Sequence, residues 1–135
     1  MNKKVSRKLA ALLRDAGYTN IPLKVYDAED ENDNTLYPYG EVFSGDNELY
    51  APTIADAVYW IYSKYDIWIS LIPDSSSGHK LLDRKFSVSI FRFNMNLNVQ
   101  AEILRKDKNI LYFNLPENAF EYAIEYILNT YKPTS

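Results

Sequence analysis

Residues 52–73 read PTIADAVYWIYSKYDIWISLIP. Thr53 is a good N-cap with Asp56 three places on, as in a capping box, and the missing N–H of Pro52 falls just outside the helix. Ile54, Val58, Ile61, Tyr62 and Tyr65 then recur on one stripe, with Tyr59 and Trp60 toward its flanks, which predicts a helix over 53–65. Almost without a loop, IWISLI at 67–72 follows as a strand and ends at Pro73. A capped amphipathic helix running directly into a strand fixes a helix-on-sheet architecture.

Downstream, KFSVSIFRF at 85–93 alternates as Phe86, Ser87, Val88, Ser89, Ile90, the pattern of a strand with one dry and one wet face. Met95, Leu97, Val99, Ala101 and Ile103 alternate with Asn96, Asn98, Gln100 and Glu102, giving a third strand of the same character. The tract DSSSGHK at 74–80 joins the first two strands, and RKDKN at 105–109 turns into a short strand at 110–113. Pro116 suits the first turn of a last helix, on which Ala119, Phe120, Ala123, Ile124, Ile127, Leu128 and Tyr131 form the apolar stripe.

Upstream, Val5, Leu9, Leu12 and Leu13 predict a first helix over about 3–16, stopped by Gly17. Residues 21–26 read as a short edge strand, since Pro22 cannot donate to a ladder. From 27 to 51 the chain is acidic and rich in Asn, Gly and Pro, a long loop in which 41–43 and 48–50 have the composition of short strands. The resulting expectation is one α+β domain over 1–135. Its antiparallel sheet has three or four strands with the second and third helices on one face. Val58, Ile61, Val88, Ile90, Val99, Ala101, Phe120, Ile124 and Ile127 are expected inside.

At 135 residues and 47% hydrophobic, the chain has the size and composition of an ordinary globular domain. No apolar run reaches the roughly 20 residues of a membrane span, and Arg14 and Asp15 interrupt the basic-then-apolar start, so a cytoplasmic protein without a signal peptide is expected. The absence of cysteine excludes disulfides, thiolate catalysis and cysteine-based metal sites. The net charge of −3 conceals a basic start (Lys3, Lys4, Arg7, Lys8, Arg14) followed by an acidic segment (Asp27, Glu29, Asp30, Glu31, Asp33).

The LRDAGY turn at 13–18, the APTIADAVYWIYSKYDIWI block at 51–69 and the closing YFNLPENAFEYAIEYIL at 112–128 resemble a group of small uncharacterised proteins of bacteroidete bacteria, their phages and mobile elements. The shared motifs are structural, so the resemblance implies origin and fold and carries over no catalytic residue.

Chemistry leaves little trace. His79 is the sole histidine and lies in the Ser/Gly tract, where a metal would need carboxylates such as Asp74 or Asp83, and where Ser75, Ser76 and Ser77 lack a nucleophile elbow. The acidic run from Asp27 resembles a calcium loop, but it has Asn32 at the glycine position and Pro38 where the closing glutamate belongs. Glu117, Glu121 and Glu125 stack on one side of the last helix, the pattern of a solvated face. No catalytic residue, metal ligand or cofactor site is assigned.

Three functional classes remain, of which the least favoured is an uncharacterised enzyme using carboxylates of the long 27–50 loop. The order helix, three strands, helix is that of double-stranded RNA-binding domains, and Lys3, Lys4, Arg7 and Lys8 are the nucleic-acid contacts such a reading would use. Against it, the start of the last helix is acidic, LPENAFE, where that class holds phosphate with lysines. The favoured class is a non-enzymatic interaction or accessory protein with a protein partner, most simply a second copy. Twelve tyrosines, two tryptophans and six phenylalanines exceed what a small core hides. The candidate contact centres are Tyr59 with Trp60 on the helix flank and Trp68 with Phe91 on the sheet. The flank is preferred, because Ser70, Ser87, Ser89, Asn98 and Gln100 make the sheet face hydrophilic.

Overall fold

The computed structural model describes residues 3–74, 80, 83–93 and 98–134, and among them the chain divides into two units, Met1–Ala57 and Val58–Ser135. In the first, α1 (Arg7–Asp15) is capped by Ser6, whose hydroxyl accepts from Leu9 N at 3.2 Å. The helix starts later than its periodicity suggests because residues 3–5 are extended: Val5 N donates to Pro52 O and Ile54 N to Lys3 O, both at 2.9 Å. Main-chain pairing thereby outcompetes a first helical turn. Gly17 ends α1 at φ +101°, a conformation that costs a residue without Cβ nothing.

The first sheet has the order β2-β1-β3, from β1 (Lys24–Asp27), β2 (Tyr37–Pro38) and β3 (Glu48–Tyr50), all antiparallel. Pro22 precedes the strand instead of lying in it, so β1 is free to donate on both sides and is the central strand, not an edge. Of the two short strands expected in the long loop, 48–50 forms and pairs with β1, whereas 41–43 does not form, and Tyr37 and Pro38 pair with β1 on its other side. Val5, Leu9, Leu13, Val25 and Leu49 are fully buried, and α1 packs on β3.

Helix α2 (Ile54–Tyr65) spans the division at Ala57, with Asp56 N donating to Thr53 Oγ1 at 3.0 Å as its cap. Asp66 stops it in the left-handed region, φ +55°, its N–H bonded to Tyr62 O at 3.1 Å. One residue thus turns helix into strand. In the second unit β4 (Ile67–Pro73), β5 (Phe86–Phe93) and β6 (Val99–Ile103) make an antiparallel sheet in that order, and α3 (Pro116–Thr130) packs on β4 and β5. A hairpin of β7 (Arg105–Lys106) and β8 (Asn109–Ile110) follows. It turns on Asp107 and Lys108, both at positive φ, as a two-residue type I′ connection requires. Phe113 then exchanges two main-chain bonds with Phe86.

Register decides which side chains meet α3. Ile69 stands opposite Ile90 and Ile90 opposite Glu102, and Ile67, Arg92 and Gln100 form the next row. Glu102 reaches Tyr126 and Tyr131, so these rows face α3. Val88, Ile90, Ile124 and Ile127 are buried there, as expected for the core, and Ile67 and Ile69 are buried with them. Strand β6 reverses the expectation: Gln100 and Glu102 lie on the α3 side, and Val99 (51% exposed) and Ala101 are outside. Alternation places odd and even residues on opposite faces but does not say which is inner, and on this edge strand the hydrogen bonds to Glu102 decide. Phe120 is only half-buried.

Nor is the opposite face of β5 wet. Ser89 is 2% exposed and Ser87 is also buried, since each is a small side chain on a central strand, with Ser70 and Ile103 flanking Ser89 and Ile72 beside Ser87.

Candidate functional site

The face of the second sheet away from α3 carries Trp68, Ser70 and Ile72 from β4, Ser87, Ser89, Phe91 and Phe93 from β5, and Val99, Ala101 and Ile103 from β6. None is charged. Trp68 (40% exposed) and Phe93 (45%) are joined by Tyr59 (68%) and Tyr62 of α2. Tyr62 meets Trp68 and Phe93 edge-on with centroids 5.6 and 6.2 Å apart, and Tyr59 meets Trp68 at 6.5 Å. Such T-shaped contacts hold aromatic rings in place while leaving their outer faces in water.

This arrangement brings Tyr59, from one expected centre, directly against Trp68, from the other, with Phe91 opposite Trp68 in the ladder and Tyr62, which neither centre included, linking Trp68 to Phe93. Trp60 is separate. It is 7% exposed and packs against Tyr65 at 5.9 Å, because it lies on the buried side of α2 with Ile61 and Ala57 instead of on the flank. It offers no surface of its own.

On the other side of the sheet, Glu102 accepts from Tyr126 Oη at 2.6 Å and Tyr131 Oη at 3.0 Å. The bond to Glu102, and after it burial, pushes the Tyr126 hydroxyl well above the usual phenol range, and burial followed by the same carboxylate raises Tyr131. Arg92 stacks on the Tyr131 ring, 4.7 Å from its centroid, and donates to Gln100 Oε1 at 2.6 Å. Beside them opens a cleft of about 570 Å³ lined by Tyr65, Arg92, Gln100, Tyr131, Lys132 and Thr134. The C-terminal segment walls it, as Thr134 donates from N to Lys64 O at 2.7 Å and from Oγ1 to Asp66 Oδ2 at 2.5 Å. Sequence periodicity gave no sign of this cluster, because its members are brought together by the β5–β6 register and the docking of α3.

The four basic residues at the start do not share one helix face. Lys3 and Lys4 lie on the extended segment, and Arg7 Nη2 is committed to Asp27 O (3.0 Å) and Ala28 O (3.3 Å); only Arg7 and Lys8 belong to α1. The acidic run is a series of side-chain turns. Asp27, Asp30 and Asp33 each accept from the main-chain N–H two residues on, at 3.0, 3.1 and 2.9 Å, so each carboxylate caps its own loop. Tyr37 Oη also donates to Asp33 at 2.7 Å, holding that carboxyl below its ordinary range. A second cleft of about 380 Å³ lies between Ala10, Arg14, Tyr18, Asp46 and Tyr50. Among the described residues no group of three or more His, Asp or Glu converges as a metal site, and no helix is long and apolar enough to cross a membrane. His79 and Ser75, Ser76 and Ser77 lie outside the described residues; Asp74 N donates to Lys85 O, continuing the β4–β5 ladder, and Asp83 N donates to Lys80 O, both at 2.9 Å. Glu117, Glu121 and Glu125 are half-buried on α3.

In comparisons with known proteins, no family model, no curated protein and no solved structure matches the chain.

Proposed function

We propose that this chain is a non-enzymatic interaction protein, an accessory protein of phage or mobile-element type, which self-associates through the face of the second sheet that α3 leaves open. The observation that carries the reading is the outward apolar side of β6. Val99, Ala101 and Ile103 extend a surface of Trp68, Phe91 and Phe93 on which, among the described residues, no side chain is charged. Contiguous exposed apolar patches mark contact sites on monomers, and aromatic rings supply contact area at low entropic cost. An uncharged surface suits a second, equally uncharged copy of itself and has no cation to offer phosphate. The resemblance of the 13–18, 51–69 and 112–128 stretches to proteins of bacteroidete mobile elements supports the accessory role; the genes flanking this one test it.

The association is tested with Trp60→Phe, which leaves Trp68 as the sole tryptophan, so that its emission is read by excitation at wavelengths that tyrosine does not absorb. Acrylamide quenching of Trp68 is expected to weaken as concentration rises from the micromolar to the millimolar range, in step with a mass increase in sedimentation equilibrium. A monomeric mass with unchanged quenching across that range overturns the proposal.

A further inference from the structure

The open edge of β6 carries its own register. Leu104 N donates to Val88 O at 3.0 Å, and an antiparallel ladder alternates, so Glu102 and Gln100 are bonded to β5 next. Phe93, opposite Val99, sends its N–H the other way, to Asp66 O at 3.0 Å, as that alternation demands. The N–H and C=O groups of Val99, Ala101 and Ile103 therefore point to the side on which, among the described residues, no strand lies. Unpaired strand edges are templates for another strand.

We propose that a second copy of the chain adds at this edge, the two β6 strands running antiparallel about a two-fold axis at Ala101. The proposal rests on the self-association reading above and specifies its geometry. With Ala101 facing its own copy, Val99 meets Ile103 of the partner subunit and Gln100 meets Glu102 of the partner subunit. Each of the three odd pairs exchanges two main-chain bonds, about six in all. The sequence VQAEI is self-complementary in this register: β-branched side chains meet each other, amide meets carboxylate, and the smallest residue sits on the axis. Sliding the strands by one pair step in one direction sets Glu102 against its own copy, and in the other sets Gln100 against its own copy, so either slip gives up the amide–carboxylate pair. The dimer is then a six-stranded sheet whose two open faces form one continuous surface. A strand pair of this length lies at the small end of interfaces, so a Kd on the order of 100 µM is expected.

Two variants spare the fold while attacking the edge. Ala101→Pro removes an N–H that the β5 ladder does not use. Gln100→Glu gives Arg92 an ionic partner within the chain but opposes Glu102 of the partner subunit across the axis, and roughly tenfold weaker dimerisation is expected. Hydrogen exchange supplies the signature: in the native chain, amide protection at Val99, Ala101 and Ile103 rises with protein concentration, while Gln100 and Glu102 are already protected at dilution. If the chain dimerises but both variants leave the Kd unchanged, or the odd amides stay unprotected, the edge geometry is overturned and the open-face reading survives. A monomer at millimolar concentration overturns both.

Discussion

Replacing Glu102 by alanine tests whether the inverted side of β6 stabilises the second unit. In the native chain the half-buried carboxylate accepts two hydroxyl bonds, from Tyr126 at 2.6 Å and Tyr131 at 3.0 Å. A hydrogen bond to a charged group contributes about 1.5–3 kcal/mol, but water can replace part of each bond in this half-exposed setting, so about 1 kcal/mol apiece is a fair figure. Glu102→Ala is therefore expected to cost about 2 kcal/mol, which for a unit of this size lowers Tm by roughly 10 °C. Glu102→Gln keeps an acceptor and loses the charge, and is expected to fall between. The pH dependence has a definite sign. Both phenols have folded-state pKa values raised above the ordinary tyrosine value, so their contribution is complete below about pH 10 and is lost as pH rises above it toward the folded values. Urea denaturation followed by circular dichroism, in dilute protein at neutral pH and at several alkaline values, measures both effects. A change of less than about 0.5 kcal/mol in Glu102→Ala, or an alkaline slope that Tyr126→Phe leaves as steep as before, would refute the reasoning.

Burial contrasts check the phase of β6: Ile124→Ala, at a fully buried position on α3, is expected to cost about 3 kcal/mol, whereas Val99→Thr at the exposed edge stays within about 0.5 kcal/mol by the same denaturation assay. Equal costs would return Val99 to the core. Lys108 holds φ +73° in the β7–β8 turn, so Lys108→Gly is expected to add about 0.5–1 kcal/mol, read as a higher urea midpoint at unchanged slope.

By itself the sequence determined the local elements of the second unit. The Thr53 cap, the stripe of α2, the strands at 67–73 and 86–93, and Pro116 opening α3 all depend on contacts within a few residues along the chain, and such contacts are written in periodicity and cap chemistry. The tertiary structure alone decided what pairs with what and which face is inner. It placed β1 at the centre of its sheet, drew residues 3–5 out of α1, and buried Trp60 and the serines of β5. It also set the polar side of β6 against α3, because the hydroxyls of Tyr126 on α3 and of Tyr131 at its C-terminal cap satisfy Glu102 there. A period of two fixes that neighbouring side chains oppose one another, but the choice between the two faces belongs to the partner that arrives from elsewhere in the chain. The open apolar face and the self-complementary edge follow from that choice, so the residues of the candidate site were present in the sequence while their assembly into one surface was not.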